Sequence, residues 1–131
     1  MRIVERDWNH RGLACLITLD KELVEEWYSG YVGVPRGHPD WGKKLVNVDV
    51  HGGITFAQQG SEDTIWKNKK LWWLGFNCAH ASDDTFTRER IGENPYLENG
   101  TERPLHKWTL DEVIAETEKL AELLAKRKNA T

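Results

Sequence analysis

One segment, at the C-terminal end, carries a sustained helical period, so the rest of the chain must build the surface on which that helix packs. Thr109-Leu110-Asp111-Glu112 has the S/T-x-x-E form in which the hydroxyl and the carboxylate each reach the other residue's backbone N–H. Leu110, Val113, Ile114, Thr117, Leu120, Ala121 and Leu124 follow at i, i+3, i+4 and i+7 spacing, which sets them on one face. Lys126, Arg127 and Lys128 stand where the dipole favours positive charge. The pattern predicts a helix over residues 109–128.

Upstream the signals are those of strands. LACLITL (13–19) is a short apolar run and YSGYVGV (28–34) is β-type until Pro35 ends it. Residues 20–27 read as a short helix or a turn. Residues 35–44, PRGHPDWGKK, hold two prolines and two glycines and read as a loop. From 45 to 56 the chain alternates: Val46, Val48 and Val50 on one side, Asn47, Asp49 and His51 on the other, until Gly52-Gly53 bends it. Residues 58–70 read as a hairpin connection and 71–79 as the most apolar strand. Residues 81–107 form a polar stretch long enough to hide a short element. Strands followed by one helix make an α+β domain: a mainly antiparallel sheet with the C-terminal helix packed on one face. With 131 residues the chain is expected to form a single domain, 1–131.

Composition narrows the function classes. Charged residues are 30% and hydrophobic residues 39%, as in a folded soluble chain. Net charge is -3, without the basic excess of a duplex nucleic-acid binder. No stretch approaches the roughly 18 apolar residues of a membrane helix, and MRIVERDWNHRG lacks the apolar core of a signal peptide. Cys15 and Cys78 are too few for a disulfide framework, so both read as reduced thiols of a cytoplasmic protein. Seven tryptophans, against a usual frequency of about 1%, supply either core volume or a platform for a flat ligand.

If the helix covers the valine side, the other face gathers Tyr31, Asn47, Asp49, His51, Trp73 and Asn77 around Gly33 and Gly75. Rings, amides, an acid and an imidazole over a glycine floor suit a ligand pocket. Arg36 and His38 in the glycine-containing loop, with Lys43 and Lys44, suit a phosphate or carboxylate. His80 and Asp83 follow the last strand and complete the expected ligand set. Asp49 with His51 would serve as an oriented general base, so turnover stays open. In the 71–79 strand Trp72, Leu74, Phe76 and Cys78 form the core row, so Cys78 with His80 or His51 is a thiol nucleophile only if Cys78 leaves that row. A divalent metal at His51, His80 and Asp83 is an alternative, although no HExxH or Cys-x-x-Cys spacing is present and no cofactor is expected.

The segments YVGVPRGHPDWG, VDVHGGITF and WWLGFNCAHASD together resemble a family of small bacteriophage and prophage proteins. Its members carry YVGVPxGHPxYG, DVHGGLTY and WWxGFDxAHxGD in that order before a C-terminal helix with LAEQL-like text, here KLAELL. The likeness spans residues 28–124. This chain departs from it at Trp41 for Tyr, Asn77 for Asp and Ser82 for Gly, and Asn77 removes a charge from the expected site. The resemblance implies a phage context, hence the host cytoplasm, and carries no reaction with it. Three functions follow as expectations: a binder that sequesters a nucleotide-like immune signalling molecule, a small His/Asp hydrolase with or without a metal, and a protein inhibitor of a host factor. Self-association stays open.

Overall fold

The computed structural model describes residues 1–23, 25–78, 97–98, 101–102 and 108–129. Five strands form one antiparallel sheet: β1 (Arg2–His10), β2 (Leu13–Lys21), β3 (Glu26–Pro35), β4 (Phe56–Gln59) and β5 (Leu71–Asn77), in the order β1-β2-β3-β5-β4. Two short strands, β6 (Leu97–Glu98) and β7 (Thr101–Glu102), pair with each other in the long polar stretch. Helix α1 (Leu110–Asn129) packs on β2 and β3, so the architecture is α+β as expected. No helix among the described residues is long and apolar enough to cross a membrane.

Local chemistry sets these elements. Arg11 and Gly12 both take positive φ, 55° and 77°, between the paired His10 and Leu13. That is the backbone a two-residue hairpin needs to match strand twist. Strand β1 has no clean alternation in sequence because it is an edge strand, mostly exposed and interrupted by an irregularity between Val4 and Arg6. Of residues 20–27, expected as a short helix or a turn, Asp20 and Lys21 belong to β2 and pair with Trp27 and Glu26 of β3. At the helix start, Thr109 N donates to Glu112 Oε1 at 2.9 Å and Glu112 N to Thr109 Oγ1 at 3.2 Å, the reciprocal cap expected of that sequence.

The helix-side core holds Cys15 and Ile17 from β2, Val32 and Val34 from β3, Trp72, Leu74 and Phe76 from β5, and Val113, Leu120, Ala121 and Leu124 from α1. Helix and sheet come close at Gly30. A Cβ there would stand 2.2 Å from Thr117 Oγ1 and 2.7 Å from the Phe76 ring.

The alternating stretch 45–56 corrects the expectation of a strand. It stays irregular until β4 begins at Phe56. Val46 and Val50 are buried and Val48 packs beside them, so the apolar side was read correctly. The backbone instead turns on itself, with Val50 N donating to Val48 O at 3.0 Å and Gly53 N to Val50 O at 2.8 Å, and Gly52 and Gly53 both at positive φ.

Candidate functional site

The expected pocket does not assemble as one face. Tyr31, Trp73 and Asn77 lie on the sheet face away from α1, whereas His51 and Asp49 lie toward the helix. The His51 ring sits 4.5 Å from that of Trp108, and its backbone N–H donates to Glu116 Oε2 at 2.8 Å. Asp49 is 99% exposed, with Lys119 Nζ 4.0 Å away. Asn47 is exposed too. The reason is the missing strand: residues 45–51 run beside the helix, so their polar side turns to solvent there and never joins the Tyr31 face. His80 and Asp83 lie outside the described residues.

Around Tyr31 the face away from the helix is filled rather than open. Leu16, Tyr31, Trp66 and Trp73 form a second apolar cluster, with Trp66 brought over the sheet by the β4–β5 connection. The Tyr31 ring meets Phe56 at 5.1 Å and Trp66 at 5.4 Å, both edge to face. Burial pushes the Tyr31 hydroxyl pKa up. The glycine floor serves this packing: a Cβ on Gly75 would meet Tyr31 Cδ2 at 2.3 Å, and one on Gly33 would meet Leu71 at 3.1 Å and the Trp73 ring at 3.2 Å. At its rim Arg2 lies over Trp66, 5.3 Å from the ring centre, and its Nε donates to Asp20 Oδ1. Asp20 Oδ2 and Trp66 Nε1 are buried without a hydrogen-bond partner among the described residues.

The loop 35–44 is where the polar chemistry concentrates. Its three successive turns are closed by His38 N to Pro35 O, Trp41 N to His38 O and Lys43 N to Asp40 O. His38, expected to touch ligand, is instead 3% exposed and structural. Its Nδ1 accepts from Asp40 N at 3.0 Å and its Nε2 stands 2.7 Å from Leu124 O. An amide N–H only donates and a carbonyl only accepts, so the ring is the neutral tautomer protonated on Nε2. Asp40 is fully buried and takes a two-pronged hydrogen bond from Arg127, Nε to Oδ2 at 2.6 Å and Nη2 to Oδ1 at 2.8 Å. The guanidinium holds the Asp40 carboxyl below its ordinary pKa.

Above buried His38 and Asp40 lies a surface of opposite character. Arg36 lies 4.7 Å from the Trp41 ring centre, Trp41 lies 5.5 Å from Trp72, and Lys44 Nζ lies 5.3 Å from the Trp72 ring. Both indole N–H groups are tied to backbone oxygens, Trp41 to Lys70 O and Trp72 to Lys43 O. Arg36, Lys43 and Lys44 are exposed while the loop's one carboxylate is buried on Arg127. A chain of net charge -3 thus carries a compact cationic shelf floored by two rings. Arg127 also lines a shallow groove of 370 Å³ with Asn47, Asp49 and Lys126, which returns two of the expected ligand residues to the neighbourhood of the loop.

Cys78 lies in the core row, 4% exposed, as an inert packing residue would. Burial pushes the Cys15 thiol up to about 12. Among the described residues, no three His, Cys, Asp or Glu side chains are grouped to hold a metal ion. Asp40, Trp41, Lys44 and Arg127 were missed as a unit. GHPDW signalled a turn, but the partner that buries Asp40 lies 87 positions away. Comparison of the chain with protein families, curated proteins and solved structures returns no match.

Proposed function

We propose that this chain binds a small anionic ligand with a planar ring, a nucleotide-like molecule, on the shelf formed by Arg36, Trp41, Lys43, Lys44 and Trp72. One observation carries the reading: two cations of a loop whose turns are held by buried His38 and Asp40 stand over two indoles, Trp41 of the loop and Trp72 of β5. The half-buried Trp41 indole can stack on a base while buried Trp72 packs against it, and guanidinium and ammonium groups pair with phosphate. A loop fixed before binding loses less conformational freedom on binding. The resemblance to phage proteins extends the reading to sequestration of a nucleotide immune messenger in the host cytoplasm.

The test is a titration with 5′-AMP and with a cyclic dinucleotide, followed by tryptophan fluorescence and thermal melting. Saturable quenching, a raised melting midpoint and weakening with added salt are expected. Arg36→Ala and Lys44→Ala should each weaken binding about fivefold without changing the melting midpoint of the apo protein. No response to either nucleotide at millimolar concentration would overturn the proposal. Consumption of the nucleotide, read by mass spectrometry, would replace it with an enzyme.

A further inference from the structure

The sheet face away from α1 carries a concavity that the anionic-ligand reading does not use. The 60–70 connection lays an apolar layer on that face, with Ile65 and Trp66 packed against Leu16, Tyr31 and Trp73. Between this layer and residues 4–9 of the edge strand β1 lies a cleft of 510 Å³. That volume falls within the range of sites that hold small organic molecules, roughly 300–1,000 Å³. Ala14, Leu16, Ile65, Leu71 and Trp73 make its walls apolar. Val4, which also lines it, is 40% exposed, so apolar surface is left to water here.

The polar groups decide the chemical class of an occupant. The Trp73 indole N–H is bonded to Lys67 O at 2.9 Å, so the ring offers its apolar surface. The Asn68 side-chain oxygen accepts from Lys70 N at 2.9 Å. Two charged residues among the described ones line the cleft, Asp7 and Lys67, and both are exposed. Their charges are opposite, because the Lys67 ammonium stays positive while it donates to Glu62 O at 2.7 Å. A cation drawn to Asp7 is repelled by Lys67, an anion meets the reverse, and water screens both. A charged occupant would give up hydration against the apolar wall with no net partner to replace it. An uncharged one avoids that cost and covers Val4, Ala14 and Ile65.

We infer that this cleft is a binding site for a small uncharged molecule with an apolar, ring-sized body, seated between Val4 and Ala14 on one side and Ile65, Leu71 and Trp73 on the other. The Arg36–Lys44 shelf selects for negative charge, so the two sites take different chemical classes. Nothing in this assignment depends on the shelf binding a nucleotide.

The probe is 2-phenylethanol, with 2-phenylethylammonium, 3-phenylpropanoate and phenylalanine as the cation, anion and zwitterion built on the same ring. Binding is followed by the NMR shifts of the Trp73 indole N–H and the Ala14 and Ile65 amides. The alcohol should give saturable shifts at these three positions and bind about fivefold more tightly than any of the other three. Asp7→Asn and Lys67→Gln, both at exposed positions, should leave its affinity within about twofold. The first should strengthen the anion and the second the cation. Ala14→Leu, which fills the cleft, should abolish the shifts. Its melting curve and Trp41 indole signal report whether the fold is intact, and the two charge variants carry the test if it is not. A charged or zwitterionic compound binding as tightly as the alcohol, a severalfold loss of alcohol affinity in either charge variant, or no saturable shift at the three positions would each overturn the assignment.

Discussion

Replacing Arg127 with Met removes the one strong partner of a fully buried carboxylate, and the consequence can be worked from the geometry. Asp40 has no exposed surface and loses two short hydrogen bonds from a charged donor. Breaking a buried ion pair from one side costs about 3–5 kcal/mol. Arg127 is 39% exposed, so water enters more readily than in a closed core, and Lys43 Nζ at 3.9 Å supplies partial compensation. The discounted expectation is about 2–3 kcal/mol, which for a domain of this size is a melting-point drop of about 10 °C. Urea unfolding at pH 7 measures it. The double variant Asp40→Asn with Arg127→Met should recover at least half the loss, because the uncompensated charge is gone. The pH dependence has a definite sign. In the wild type the Asp40 pKa is depressed, so its stabilising contribution is complete above the free carboxyl value and is lost as pH falls through the lower folded value. In Arg127→Met the buried acid has a raised pKa and gains stability on protonation, so the gap between the proteins narrows from pH 7 toward pH 4. A loss below about 0.5 kcal/mol, or a double variant no more stable than Arg127→Met, would refute the reasoning.

Three further outcomes follow from single contacts. Gly30→Ala drives a methyl group into Thr117 Oγ1 and the Phe76 ring, and should cost about 1–3 kcal/mol in chemical denaturation; pairing it with Thr117→Ser, which keeps the hydroxyl, should not relieve the clash. Thr109→Ala removes the hydroxyl that caps Glu112 N and should cost about 1 kcal/mol, seen as a lower urea midpoint with unchanged slope. The Cys15 thiol is buried, with its pKa pushed up to about 12, so in the native protein at pH 8 it should resist a thiol reagent that labels it fully in urea.

Much of the fold was legible because it rests on local chemistry. The Thr109–Glu112 cap, the helical stripe and the β5 core row all stood where their spacing put them. The site was less legible because alternation tells which side of a chain is buried, not what the backbone pairs with. Val46, Val48 and Val50 met the core as read, yet the segment forms no strand, and that moved Asp49 and His51 to the helix side. The Tyr31 face looked open because its own residues are partly polar, but Trp66 arrives from a connection whose sequence gives no sign of folding back. His38 and Asp40 looked solvated because Leu124 and Arg127 are far off in sequence.

The position of α1 after the strands of the sheet has a consequence for synthesis. All five strands leave the ribosome before the helix that covers them, and β1, β2 and β3 can pair early as neighbouring hairpins. Until residues 113–124 emerge, Ile17, Val32, Leu74 and Phe76 have no cover on the helix side. The nascent sheet is therefore an adhesive intermediate, and a ribosome stalled before residue 110 would hold a chain that hydrophobic-surface chaperones recognise.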